Sequence, residues 1–341
     1  MKRSLFYISE NYSFEILRPL QKEILARGGE VKWFVSGNNV NLDDFCDNEV
    51  ILNLIEEAVR YKPEVCFIPG NHIPSFIPGI KVQIFHGLEW KKKGHFQIRG
   101  CFDLYCTHGK STTFRFKLLA QKHRYFDVIE TGWPKVDPLF NTLPRKHFSI
   151  DKPTILYAPT FSPKLTSASN LFNEIKVLSQ SKKYNWLIKF HPKMPFHWVE
   201  QYSKLECEHI KVVNSCEINE LFQSADILLS DTSSVIGEFS LLGKSIVTYN
   251  NSLPGDYLID IKTPDKLSIA ILAALSPTVQ LKQAITNYCE EIHPYKDGQS
   301  SYRIMDAVEN ILAKGKLAKK RKPLNIFRNF KLRMKFNYWK I

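Results

Sequence analysis

Two histidines and a run of hydroxyl side chains are the residues in this chain best suited to chemistry. His86-Gly87, Lys189-Phe190-His191-Pro192 and Asp231-Thr232-Ser233-Ser234 each follow an apolar run, and Thr131-Gly-Trp-Pro-Lys-Val-Asp137 is a fourth segment of the same kind. An imidazole changes charge near neutral pH, so one can take a proton from an attacking hydroxyl while another, next to a lysine, holds phosphate oxygens. Thr232, Ser233 and Ser234 at the first turn of a helix, together with its free N–H groups and positive dipole end, form an anion site. The plainer alternative is an ordinary helix cap with spare hydroxyls. Glu238, one to two turns on, can accept a ribose hydroxyl; taken alone it reads as a solvated surface charge.

For any single histidine, a hydrogen bond at a loop edge is the ordinary role. His86 and His191 stand apart because each half of the chain supplies one, at a strand end. Gly87 would let the backbone turn sharply there and leave the imidazole at the rim. His72, His95, His108, His123, His147, His197, His209 and His293 lack that placement and read as structural or exposed. No HExxH or similar ligand spacing joins them, so no metal is expected. No GxGxxG follows the first strand and no Walker lysine occurs, which argues against dinucleotide reduction and NTP hydrolysis, and no cofactor is expected. Cys101 and Cys106 flank a short strand and read as buried thiols.

These segments need elements to place them. Leu5–Ile8, Val31–Val35, Val65–Ile68, Val82–Phe85, Leu104–Cys106 and Phe126–Glu130 read as strands, with a helix over Phe14–Ala26 closed by Gly28-Gly29. A loop-like stretch, 141–153, reads as a linker. Beyond it, Thr154–Tyr157, Trp186–Phe190, Ile210–Val213, Ile227–Leu229 and Ser245–Tyr249 read as strands, and Glu238–Leu242, Pro264–Leu275, Thr278–Glu291 and Ser301–Ala313 as helices. Sequential βα units in both halves predict an α/β protein with two Rossmann-like domains, 1–140 and 154–313, facing a central cleft. In such sheets ligands bind beyond the carboxyl ends of the strands, which is where the four segments lie.

The chain has 341 residues, 44% of them apolar, enough for two domains with cores of their own. Its net charge of +13 is unevenly spread: residues 314–341 hold eleven of the 47 Lys and Arg and no acidic residue, leaving 36 basic against 34 acidic in the body. A nearly neutral body disfavours the reading of a non-catalytic nucleic-acid-binding protein, and no nucleic-acid partner is expected. Seven cysteines without a CxxC pair suggest a reducing compartment. The start, Met1-Lys-Arg with a short apolar run before Glu10, is too brief for a signal peptide.

Taken in order, His86-Gly87, Thr131-Gly-Trp-Pro-Lys-Val-Asp137, Tyr157-Ala-Pro-Thr160, Lys189-Phe-His-Pro192, Ser230-Asp-Thr-Ser-Ser-Val235 and Asp297-Gly-Gln-Ser-Ser-Tyr-Arg303 resemble the motifs of the CDP-glycerol glycerophosphotransferase family over roughly residues 80–305. The resemblance implies a GT-B fold, with the nucleotide on the C-terminal domain and the acceptor on the N-terminal one. It implies that His86 and His191 are catalytic, that Asp231, Ser233 and Ser234 surround the diphosphate, and that Glu238 and Arg303 match the family's acidic and arginine positions. Gly87, Thr160, Lys189 and Thr232 complete the expected binding set. The implied reaction transfers glycerol phosphate or a similar phosphopolyol from a CDP-alcohol to a polyprenyl-linked glycan acceptor in teichoic-acid-like or capsule synthesis, releasing CMP. A GT-B glycosyltransferase using another nucleotide-activated donor, a nucleotide sugar, for surface polysaccharide synthesis is the alternative. The loop Leu88-Glu-Trp-Lys-Lys-Lys93 is more basic than is usual in the family, Trp133 and Lys135 replace a usual Tyr and Arg, and the long N-terminal extension of the polymerases is not expected.

The basic segment 314–341 reads as a separate device. Projected as a helix from Leu324, it gathers Ile326, Phe327, Phe330, Met334, Tyr338 and Ile341 on one side, with Lys319-Lys-Arg-Lys322 upstream. That pattern suits an interfacial helix on an anionic membrane surface and a cytoplasmic, peripheral place on the inner face of a bacterial membrane. Phe330–Phe336 also alternates as a strand would, and a disordered solubilising tail is the plain alternative.

Overall fold

Strand segments that are apolar on both faces need cover on both sides, and a parallel sheet flanked by helices supplies it. The computed structural model describes residues 1–88, 94–213, 218–318 and 320–340. Among these, seven strands form one sheet: β1 (Arg3–Glu10), β2 (Glu30–Asn39), β3 (Val50–Leu52), β4 (Val65–Ile68), β5 (Ile80–Gln83), β6 (Leu104–Thr107) and β7 (Asp127–Glu130), in the order β3-β2-β1-β4-β5-β6-β7. Six more form a second: β8 (Thr154–Tyr157), β9 (Asn185–Ile188), β10 (Ile210–Val212), β11 (Ile227–Ser230), β12 (Ile246–Tyr249) and β13 (Ile259–Ile261), in the order β10-β9-β8-β11-β12-β13. The named strands pair in parallel throughout. Both orders step outward from the first strand of the set and then reverse, which is the Rossmann arrangement. The three-residue strands β3 and β13 are additions to the sequence reading. β5 ends at Gln83 and β9 at Ile188, short of the Phe85 and Phe190 expected.

The domain limits also differ from expectation. One compact unit comprises Met1–Asp137 with Ile292–Ile341, and the other Pro138–Glu291. The segment 141–153 is packed on the second unit. There Arg145 N–H donates to Ser224 Oγ at 2.9 Å, Lys211 Nζ to the His147 carbonyl at 2.6 Å, and Asn185 Nδ2 to the Ile150 carbonyl at 3.0 Å.

Helix Ser300–Lys314, expected in the second domain, belongs to the first. Its opening N–H groups lack intrahelical partners, and Asp137 supplies them: Ser300 N–H donates to Oδ1 and Ser301 N–H to Oδ2, each at 2.7 Å. Further along, Arg27, the C-cap of the first helix, Ser13–Ala26, pairs with Asp306 at 2.8 Å and Glu309 at 2.9 Å. The residues leading into Ser300 close on the loop after β7. His293 Nε2 accepts the Trp133 N–H at 2.9 Å, and its Nδ1–H donates to the Tyr295 carbonyl at 2.9 Å. Gly132 has φ +82°, and a Cβ built there would stand 2.5 Å from Ser300 Oγ and 2.8 Å from His293 Nε2.

The basic segment is a packed part of the same unit, not an appended tail. Buried Asp103 accepts the Lys81 N–H at 2.9 Å and receives Lys316 Nζ and Lys322 Nζ, each at 2.7 Å. Asp127 caps the Leu317 and Ala318 N–H groups at 2.9 Å each. Residues Ile326–Phe336 then form a helix, which removes the strand and disordered readings. It is seated through buried Leu332, through Phe336 against Phe34, and through the following Tyr338 stacked on Phe76 at 4.7 Å. Lys319 and Ile341 lie outside the described residues.

Two consequences can be measured. A side chain at residue 132 meets both backbone strain and overlap, so Gly132→Ala should cost about 2 kcal/mol or more and lower Tm by at least about 4 °C; an unchanged Tm would remove the close approach described. Burial pushes His293 down to about 4, so the unfolded chain takes up a proton that the folded one refuses between pH 6.5 and 4. Stability present above pH 6.5 is therefore lost as the pH falls through that window, by about 1.4 kcal/mol per pH unit from this one residue. Thermal melts from pH 7 to pH 4 should show the loss, with a shallower slope for His293→Gln.

Candidate active site

In both sheets the loops of interest leave the carboxyl ends of strands, where a parallel sheet collects its helix N-termini; the loops after β8 and β11 flank the reversal of order, and those after β5 and β9 stand one strand away from it. In the first unit, the chain runs from β5 through Ile84 to Phe85, whose φ is +57°. A left-handed backbone at a bulky residue is strained, by about 1–3 kcal/mol, and persists only where packing overrides it. The Phe85 ring supplies that packing. It is buried and lies 5.3 Å from the His95 ring, 5.3 Å from His108 and 5.1 Å from Phe116. With Phe85 held inward and its backbone reversed, His86 is turned outward and is exposed.

The turn expected at Gly87 is therefore made two residues earlier and by a different residue type. Gly87 has no positive φ, and a Cβ built on it meets nothing within 4 Å. Tyr12 lies against the His86 ring at 5.4 Å. Its place just after β1 is itself a strand-end signal, which the sequence reading passed over. Residues 89–93 of the basic loop lie outside the described residues.

In the second unit, His191 is also exposed, with its ring 4.3 Å from Phe161. Its Nδ1 accepts the Lys193 N–H at 3.1 Å, which assigns the neutral ring's proton to Nε2 and makes that nitrogen a donor. Lys189 is half-buried, and its N–H extends the ladder to the Tyr157 carbonyl at 2.9 Å.

Asp231 faces inward. It is 0% exposed, and its oxygens accept the Thr160 N–H at 2.9 Å, the Ser167 N–H at 2.8 Å and the Ser167 hydroxyl at 2.9 Å. Burial pushes this carboxyl up against the hydrogen bonds that oppose the shift. Its own carbonyl accepts Asn251 Nδ2 at 2.7 Å, and Thr232 Oγ1 accepts the Ser252 N–H at 3.0 Å. Asp231 thus fixes the loop after β8 and the loop after β12 around its own, and the groups left at the rim are half-buried Thr160, Thr232 and Ser233 and exposed Ser234. Ser234 stands at the N-cap of helix Val235–Ser240 without a side-chain capping bond. Glu238, read alone as a solvated charge, is buried. Ser167 and Asn251, which complete this lattice, carried no motif signal in the sequence.

Arg303 lies in the first unit and not with the second sheet. Its guanidinium holds Asp297 with two bonds at 2.8 and 3.0 Å, donates to the Thr131 carbonyl at 2.9 Å and stacks on Tyr295 at 3.8 Å. Tyr295 OH in turn donates to Glu130 at 3.2 Å. Among the described residues, no group of three or more His, Cys, Asp or Glu is placed to hold a metal ion.

Comparison with known proteins follows the same lines. The chain is 29% identical over 201 residues to the teichoic acid glycerol-phosphate primase of Bacillus subtilis strain 168, covering 54% of this chain and 52% of that protein. It is 25% identical over 210 residues to the teichoic acid ribitol-phosphate polymerase TarK of Staphylococcus aureus, covering 52% of this chain and 40% of TarK. The chain spans about half the length, or less, of these curated relatives. Among solved structures, the wall teichoic acid polymerase TagF in a CDPG-soaked form superposes with a TM-score of 0.63 at 16% identity, covering 91% of this chain and 89% of that one. A putative UDP-N-acetylglucosamine 2-epimerase from Listeria monocytogenes gives 0.67 at 13%, covering 94% and 99%. At such identities the likeness is one of fold, the GT-B type with two Rossmann-like domains. The model of the family described as CDP-glycerol:poly(glycerophosphate) glycerophosphotransferase matches residues 110–310, well over half of the chain, and this protein belongs to that family.

Proposed function

We propose that the protein transfers a phosphopolyol from a CDP-alcohol to an acceptor hydroxyl in the synthesis of a teichoic-acid-like polymer, releasing CMP. The observation that carries the reading is the pair of imidazoles offered to solvent at strand carboxyl ends, one by a strained turn at Phe85 and one with its tautomer set by Lys193 N–H. The acceptor oxygen attacks the phosphorus that carries the polyol. A new O–P bond forms, the bond from that phosphorus to the oxygen of CMP breaks, and the product is a phosphodiester. His86 takes the hydroxyl proton, and His191 donates its Nε2–H to a phosphate oxygen. Such transfers ask a protein mainly for alignment and charge stabilisation. Lys189, Lys193 and the rim hydroxyls of Thr160, Thr232, Ser233 and Ser234 provide donors for the diphosphate. A lipid-linked glycan as acceptor fits the relatives' teichoic acid roles.

The donor requirement is tested by incubating the protein, with and without a magnesium chelator, with CDP-glycerol, CDP-ribitol and a set of UDP-, GDP- and CMP-sugars. CMP should appear from a CDP-alcohol; UDP from a UDP-sugar would point to glycosyl transfer instead. His86→Ala should lower turnover by about 10²- to 10⁴-fold while leaving donor binding near normal, and full activity in that variant would remove His86 as the base.

A further inference from the structure

The C-terminal helix Ile326–Phe336 is fixed to the first unit by one side and leaves a row of large apolar side chains on another. Ile326 is 69% exposed, Phe327 88%, Phe330 53% and Met334 60%. At about 100° per residue these four fall within an arc of about 100°, while Leu332 and Phe336, which seat the helix, lie on the opposite side. Lys331 flanks the exposed row on one side and Arg333 on the other. Leu324 and Trp339 extend it beyond each end of the helix and are exposed as well.

The charge along the segment that carries this row has one sign. Residues 314–341 hold eleven Lys and Arg and no Asp or Glu. Two of the cations, Lys316 and Lys322, are taken up by Asp103, whereas Lys320, Arg321, Lys331 and Lys340 are exposed. A second copy of this chain would bring the same positive charge against itself, and a nucleic acid, whose bases stack on aromatic rings, would have no use for the exposed aliphatic side chains of Leu324, Ile326 and Met334. An aromatic and aliphatic row rimmed by cations fits a bilayer surface rich in anionic phospholipid, where rings enter the acyl boundary and lysines meet headgroup phosphates.

We infer that this helix face docks the protein on an anionic lipid bilayer. Because the helix is held by Leu332, Tyr338 and the Asn325–Gly100 hydrogen bond of 3.1 Å, lipid contact would hold the first unit itself rather than a loose tether. The inference goes beyond the phosphotransfer reading and does not depend on it.

The test is co-sedimentation of the full chain with vesicles of phosphatidylcholine alone and of phosphatidylcholine mixed with phosphatidylglycerol, at low and high salt. Binding should require phosphatidylglycerol and weaken with salt. Phe327→Asp with Phe330→Asp alters only exposed positions and should leave Tm unchanged while lowering the partition coefficient at least about tenfold. Leu143→Asp, at an 83% exposed apolar residue of the second unit, should leave partitioning as it was. Equal binding to both vesicle types, no binding to the anionic ones, or full binding by the double variant would overturn the inference. So would sedimentation velocity, in the absence of lipid, showing a dimer that the double variant abolishes, since the face would then belong to a second copy.

Discussion

A carboxylate taken out of water must be given hydrogens by the protein, because an unpaired buried charge costs a large share of a domain's net stability. Three aspartates impose that constraint here. Asp103 draws Lys316 and Lys322 to the amino end of β6, Asp137 draws the opening N–H groups of helix Ser300–Lys314, and Asp231 draws the Thr160 and Ser167 amides. In each case the partner lies tens to hundreds of residues away, so satisfying the charge also decides where a remote segment goes. Apolar burial could have been met by several packings of the same helices, whereas a carboxylate with two oxygens and two waiting amides accepts far fewer. The basic segment, which looks detachable when charge alone is counted, is held by this logic.

The parallel α/β plan was legible because it rests on local signals: apolar runs of strand length, glycines closing helices, and an amphipathic repeat between them. The positions of His86 and His191 were legible for the same reason, since each follows such a run directly. The identity of the turning residue was not. Phe85 adopts a left-handed backbone because His95, His108 and Phe116 close around its ring, and no single-residue preference anticipates a phenylalanine there. Glycine at residue 87 was the better local guess, and tertiary packing overrode it. The inward turn of Asp231 was hidden in the same way. A carboxylate followed by three hydroxyls has the composition of an anion site, and only the loop carrying Ser167 shows that the acid is structural while the hydroxyls remain at the rim.

Domain membership was the least legible feature. Helix Ser300–Lys314 follows the last βα units in order, and proximity along the chain assigns it to them. Its attachment instead depends on Asp137, Arg27 and the gap left at Gly132, none of which has a periodic pattern. The Asp297–Arg303 motif gains a different meaning with it: Arg303 clasps Asp297 and the Thr131 carbonyl, so two motifs far apart in sequence form one local lattice in the first unit.

That connectivity makes residues 138–291 an insertion within the first unit, which opens before them and is finished after them. On the ribosome the inserted unit is therefore available complete while its host still lacks helix Ser300–Lys314 and the partners of Asp103 and Asp137. Until those residues emerge, two acidic groups and the apolar ground that later seats Phe336 and Tyr338 are left to solvent or chaperone. The order of maturation is thus inverted relative to the order of synthesis, with the segment translated first being the last to close.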